Sequence, residues 1–302
     1  YLVKNCGDAG KKVHTGRSRN DQVLVAIRLY MKAKNHEIAK ETQTLAKEFL
    51  KLAKKYQNVP FPGYTHTQQA MLSSLGHYFG SFTESLIDDL DFLEKIAGHI
   101  DKNPLGSAAG FGVNLKLDRK LTTKELKFKA VQLNSLYCQN SRGKFESAYL
   151  ESLTQIMLTL GRFAQDLLLF TSQEFNFFTI DDTLVTGSSI MPQKRNLDAM
   201  EILRGNVNVM IANQNLIQNL TKGLISGYNR DLQLIKKPLI ESSDLIIDSL
   251  KIVALHLQGI TPNKKIISEK ITKEIFMADL ANDLAKEKGL PFRDAYVQAH
   301  KE

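Results

Sequence analysis

RSRNDQVLVAIRLYMKAKNHEIAKETQTLAKEFLKLAKKYQNV, residues 17–59, contains neither Gly nor Pro. Within it Val23, Ile27, Tyr30, Ile38, Leu45, Phe49, Leu52 and Tyr56 mostly recur at the steps of three and four that mark one helix face. The same spacing returns in Leu75, Phe79, Phe82, Leu86, Leu90, Leu93, Ala97 and Ile100. It returns again from about Glu146 to Phe178 (Tyr149, Leu153, Ile156, Leu160, Phe163, Leu167, Phe170). A fourth helix is expected to begin near Asn196 with Met200, Leu203, Val207 and Met210, turning polar at Asn213, Gln214, Asn215, Gln218 and Asn219. A fifth is expected from near Asp231 to about Leu257, with Pro238 marking its first turn or a kink.

Helices of about 25–35 residues far exceed the usual mean of about 11–12. At about 1.5 Å per residue each would span on the order of 40–50 Å. Few single chains offer partner surface of that length, so a bundle completed by other subunits is expected, with a monomeric rod as the alternative. No alternating strand pattern and no internal repeat stand out. After Gly259 the pieces shorten to Lys264–Lys273 and Ile275–Lys288. The expected division is a remnant of an N-terminal domain at 1–17, a central long-helix bundle at 18–258, and an incomplete small helical C-terminal domain at 259–302. The start at Tyr1, without Met or a signal-peptide pattern, reads as a chain cut from something longer.

The chain has 302 residues, 43% hydrophobic and 8% aromatic, so a sizeable core is available without Trp. It has no apolar run of about 18 residues, and no membrane span is expected. Cys6 and Cys138 are too few and too far apart for a disulfide framework or a zinc site, which points to a reducing cytoplasm. Lys+Arg number 40 against 32 Asp+Glu, a net +8. An anionic small molecule or a nucleic acid would each suit that charge. The lysines, however, are dispersed among helical positions as a solvated face, and no basic run interleaves with aromatics. No nucleotide-binding Gly-rich loop or metal cluster appears, so no cofactor is implied.

Loops rich in Gly, Ser, Thr, Asn and Pro separate the helices, and Gly187-Ser188-Ser189-Ile190-Met191-Pro192-Gln193-Lys194-Arg195-Asn196 is the most informative. Two hydroxyls, a cation and an amide lie within it, and such a turn opening a helix can gather backbone N–H groups around an anion. An ordinary connector would look much the same.

This loop resembles the signature of the fumarase/aspartase superfamily. Gln193 resembles the argininosuccinate lyase branch, where fumarases and aspartases usually carry Gly and adenylosuccinate lyases His. His14-Thr15-Gly16-Arg17-Ser18-Arg19-Asn20-Asp21-Gln22 and Gly63-Tyr64-Thr65-His66-Thr67-Gln68 resemble other segments of that branch. So do Pro104-Leu105-Gly106-Ser107-Ala108-Ala109-Gly110, Tyr228-Asn229-Arg230-Asp231-Leu232-Gln233 and Pro291-Phe292-Arg293-Asp294-Ala295-Tyr296. Two departures stand out. Leu197 replaces the usual Pro, which is expected to loosen the start of the following helix, and Ala70-Met71-Leu72 replaces Ala-Gln-Pro.

The resemblance implies an all-α, long-helix bundle that releases fumarate by β-elimination from argininosuccinate. It implies Ser188 as base, Lys194 as stabiliser of charge, His66 acting on the leaving nitrogen and Glu201 as the carboxylate paired with that His. Ser189 is the alternative to Ser188, since adjacent serines are not separable by sequence. Substrate binding would fall to Ser18, Arg19, Asn20, Thr65, Ser189, Asn196, Tyr228, Gln233 and Lys236. The family's arrangement is a homotetramer with sites shared between subunits and no cofactor. The competing readings are adenylosuccinate lyase or aspartase activity, and an inactive crystallin-like structural protein. The loop Thr186–Leu197 is expected to move when no substrate is present, because Gly187 and two serines give it few packing groups.

Overall fold

The Gly- and Pro-free stretch folds as one helix, Arg19–Lys55, of 37 residues. Ser18 and Asp21 start it with a reciprocal cap: Ser18 Oγ accepts the Asn20 N–H at 3.2 Å, and Asp21 Oδ1 accepts the Ser18 N–H at 2.9 Å. The computed structural model describes residues 1–301, and four more long helices follow. They are Leu75–Ile100, Lys144–Phe170, Asp198–Thr221 and Lys236–Gly259, of 26, 27, 24 and 24 residues. No described helix is long and apolar enough to cross a membrane.

Several expected boundaries are corrected. The helix expected to reach Phe178 ends at Phe170, where Asn176 adopts a left-handed φ of 49° and the Phe177 N–H returns to the Phe170 carbonyl at 2.8 Å. Phe177 and Phe178 are nearly fully buried, so they continue the apolar pattern without continuing the helix. Pro238 lies in the first turn of Lys236–Gly259, where its missing N–H costs nothing, and the residues from Arg230 to Gln233 form a separate 3-10 turn. Leu197 does not loosen the Asp198 helix. It is buried, and its carbonyl accepts the N–H groups of Met200 and Glu201.

Strands also occur where none was expected. Pro60–Thr65 and Gln68–Ser74 pair as an antiparallel hairpin whose register shifts between Pro62 and Tyr64. Two prolines and few β-branched residues hide it from pattern reading, but a two-stranded ribbon has edges that tolerate Pro.

The chain divides into two compact units, and the division falls inside each of the five long helices. The first comprises Tyr1–Gln43, Leu86–Arg162 and Ile202–Lys251. Its helices approach closely where side chains are small. At Gly161 an added Cβ would lie 2.6 Å from Val207 Cγ2. At Gly143 the crowding is greater: φ is 77°, and a Cβ would fall 2.0 Å from Thr221 Cγ2. Gly143→Ala is therefore expected to destabilise the protein by about 2–3 kcal/mol, from left-handed strain plus overpacking, measured by denaturant unfolding. A loss below about 0.5 kcal/mol would show that Thr221 yields freely.

The second unit comprises Thr44–Ser85, Phe163–Glu201 and Ile252–Glu302. Its core is aromatic. Phe49 stacks on Phe82 at 5.3 Å and meets Phe163 edge-on at 5.0 Å, while Phe61 meets Phe170 and Phe177 edge-on. This core anchors the hairpin through Phe61 and Tyr64. The short helices Lys264–Lys270, Met277–Lys288 and Phe292–Ala299 follow, the last two packing on Ala281, Leu284, Ala295 and Ala299. Gly289, at φ 61°, ends the Met277 helix in the left-handed conformation that favours glycine.

Candidate functional site

In the second unit the loop of Thr186–Asn196 closes on itself. Thr186 pairs with Asn196 and Gly187 with Arg195 as a short antiparallel ladder. Two side-chain contacts brace it: Thr186 Oγ1 donates to Asp198 Oδ2 at 2.6 Å, and Arg195 pairs with Asp182. Between these strands Ser188 Oγ accepts two successive backbone N–H groups, from Ile190 at 3.3 Å and Met191 at 3.1 Å. Those donors would favour an alkoxide over a neutral hydroxyl. Among the described residues Ser189 has no comparable contact, and it is exposed. The two serines, equivalent by sequence, are thus held differently.

Lys194, Asn196 and Glu201 line one cavity of about 480 Å³, together with Arg195, Asp182 and Thr179. Two cations, an amide and carboxylates therefore share one concave surface. The basic side suits an anionic ligand. Ser188 is not among the residues lining it.

Thr65 and His66 sit at the tip of the hairpin. His66 and Thr67 both take left-handed φ, 52° and 61°, as a two-residue type I′ turn demands. Neither is Gly or Asn, and a β-branched Thr there stores strain on the order of 1–3 kcal/mol. The turn holds His66 exposed. Among the described residues no hydrogen bond joins His66 to Glu201 or to Ser188, so the expected His–Glu pair is not formed within one chain. Glu201 instead faces the cavity of Lys194 and Asn196.

The first unit carries the remaining candidates in two groups. Tyr228, Gln233 and Lys236 form a chain: Lys236 Nζ donates to Gln233 Oε1 at 2.7 Å, and Gln233 Nε2 donates to the Tyr228 hydroxyl. Ser18, Arg19 and Asn20 open the first long helix, with Arg19 exposed and the other two half-buried.

Asp21, next to them, lies in the same motif, and the resemblance assigns it no role. It is fully buried, and its second oxygen accepts the N–H groups of Gly106 at 2.9 Å and Ala108 at 3.1 Å. One carboxylate thus ties the helix start to the Pro104–Gly110 loop, where Ala108 itself holds a left-handed φ of 52°. The Ser-x-x-Asp spacing was the available signal. Asp182 and Asp198, which brace the signature loop, left no such trace in the sequence.

Comparison with known proteins follows the same lines. Residues 2–211 match the model of a family described as Lyase. The argininosuccinate lyase of Thermotoga neapolitana is 42% identical over 296 residues, covering 98% of this chain and 74% of that protein. That of Sorangium cellulosum is 44% identical over 295 residues, covering 98% and 68%. That of Phocaeicola vulgatus is 41% identical and is covered over 66% of its length, so this chain spans about two thirds to three quarters of these relatives. Among solved structures, an EDDS lyase in complex with formate superposes with a TM-score of 0.90 at 22% identity, over 97% of this chain and 59% of that one. A class II fumarase from Schistosoma mansoni gives 0.79 at 18% identity, over 95% and 68%. At such identities the structures speak for the fold alone, a bundle of long helices. The sequence relatives go further, and by them the chain belongs to the argininosuccinate lyases of the fumarase/aspartase superfamily.

Proposed function

We propose that this chain carries the residues that cleave argininosuccinate to arginine and fumarate, a step of arginine biosynthesis. In argininosuccinate a succinyl group is joined through nitrogen to the guanidinium of arginine. A base removes a proton from the succinyl Cβ, the electron pair forms the new double bond, and the C–N bond breaks. The guanidino nitrogen leaves with a proton supplied by His66, directly or through water.

Ser188 acts as the base. The observation that supports it is the pair of backbone N–H groups donated to its Oγ, because a serine alkoxide is otherwise too unstable for this task. Lys194 and Asn196 hold the succinyl carboxylate whose charge grows as the proton departs. Glu201 sets the charge of a partner His, and Ser189 and Thr65 bind substrate. In the first unit Ser18, Arg19, Asn20, Tyr228, Gln233 and Lys236 hold the rest of the molecule. No step calls for a cofactor.

The working form is a homotetramer that builds each site from several subunits. Support comes from the Asp198–Thr221 helix, where Ile202, Val209 and Leu216 are 63%, 49% and 45% exposed. They recur every seventh residue, the spacing of a helix-packing seam. The division into 1–17, 18–258 and 259–302 is part of the same reading. Exposed Cys6 and buried Cys138, both unpaired, fit a reducing cytoplasm.

A substrate panel tests the activity. Ultraviolet detection should find fumarate from argininosuccinate and none from adenylosuccinate or aspartate. Fumarate from either of the others alone would move the enzyme to a sister branch.

A further inference from the structure

In the second unit the turn that presents His66 is strained, since His66 and Thr67 both hold a left-handed φ without being Gly or Asn. Such a turn keeps its shape only where the surrounding structure fixes both strands that enter it. The strand before it is fixed by burial. Phe61 is 3% exposed, and the Tyr64 ring lies 6.0 Å from that of Phe170 and 5.9 Å from that of Phe175. The strand after it, Gln68–Ser74, has no fully buried residue.

Gln69 supplies the second anchor. It is half-buried, pairs with Tyr64 across the hairpin and stands three residues from His66. Its Nε2 donates to the Lys270 carbonyl at 2.7 Å. Lys270 closes the helix Lys264–Lys270. The last carbonyls of a helix have no partner within it and carry partial negative charge, so an amide N–H from outside suits them. That helix is itself tied down. Ile267 is 1% exposed, Asn263 Oδ1 accepts the Ile266 N–H at 3.4 Å, and the Asn263 N–H donates to the Phe177 carbonyl at 2.8 Å. Just before it, Ile260–Pro262 pairs antiparallel with Phe178–Ile180. The aromatic core thus holds the hairpin twice: directly through Phe61 and Tyr64, and by way of the Lys264–Lys270 helix through Gln69.

We propose that Gln69 is a positioning residue for His66, its bond to Lys270 keeping the strained turn in the geometry that proton delivery to the leaving nitrogen needs. This rests on the proposed role of His66. The part of Gln69 is to hold the turn, not to meet the substrate. Without the bond the later strand loses its anchor and the turn relaxes toward ordinary right-handed backbone. The imidazole then spends part of its time displaced, and displacements on the order of 1 Å are costly to a transfer that depends on alignment.

The test pairs steady-state kinetics with hydrogen exchange on the full chain. Gln69→Leu, which keeps the bulk and removes the donor, should lower kcat for fumarate release about tenfold and leave KM unchanged, since the groups that bind substrate stay in place. Exchange of the backbone amides at 64–70 should speed about five- to tenfold, the loss expected for one hydrogen bond, with the rest of the second unit unaltered. Gln69→Arg, which restores a donor at that reach, should recover both. Should Gln69→Leu fail to fold, Gln69→Asn, one methylene too short to reach the carbonyl, takes its place. A merely structural glutamine would lower Tm and speed exchange throughout the unit with kcat per folded molecule unchanged, and that result overturns the proposal. So does faster exchange at 64–70 with wild-type kcat, or a lower kcat without faster exchange there. The exchange arm needs no turnover. If wild type releases no fumarate while exchange at 64–70 still depends on Gln69, the proposed activity fails and the hold of Gln69 on the His66 turn stands.

Discussion

Ser188→Ala is expected to lower kcat for fumarate release by about 10²–10⁴-fold, the range a positioned general base supplies. KM should change little, because the proposed base acts on the Cβ proton and not on the bound carboxylates. Stability should also hold. The N–H groups of Ile190 and Met191 that lose their acceptor are on exposed residues, where water replaces it. Ser189→Ala is the matched control, expected to raise KM and leave kcat close to wild type. Steady-state kinetics of the two variants separate adjacent hydroxyls that sequence leaves equivalent. A kcat loss confined to Ser189→Ala would transfer the base to that residue.

Asp21→Ala is expected to cost about 3–5 kcal/mol of stability, measured by denaturant unfolding. The fully buried carboxylate accepts from Ser18, Gly106 and Ala108, and its removal leaves three backbone donors unmet. Asp21→Asn retains one acceptor oxygen and should cost about half as much. Ser18, Arg19 and Asn20 lie on the turn that Asp21 fixes, so KM should rise in both variants even where enough protein stays folded to assay. An unfolding free energy within about 0.5 kcal/mol of wild type would mean that water serves those donors.

The long helices were legible because their apolar residues hold helical spacing over 24 residues and more, and no tertiary contact has to be known to read that. The hairpin was not legible, since Pro60, Pro62 and Gly63 look like a loop and its stability comes from Phe61 and Tyr64 inserting among distant aromatics. Phe177 and Phe178 misled for the same reason: they are buried by the aromatic core, not by a helix. In the signature loop the residue types were readable, but the turn that converges two N–H groups on Ser188 exists only once the backbone has closed. Arg142 gave no signal at all. A charged residue before Gly143 reads as a surface cation until its burial is seen.

Within one chain His66 and Ser188 share no hydrogen bond among the described residues, and in the proposed assembly other copies of the chain complete the site. Mixing tests this most directly. Ser188→Ala and His66→Asn proteins, each inactive alone, are dissociated together, reassociated and assayed for fumarate release from argininosuccinate. Partial recovery of activity is expected, because some mixed assemblies combine an intact Ser188 from one subunit with an intact His66 from another. Hybrids as inactive as their parents, with subunit exchange verified, would contradict it.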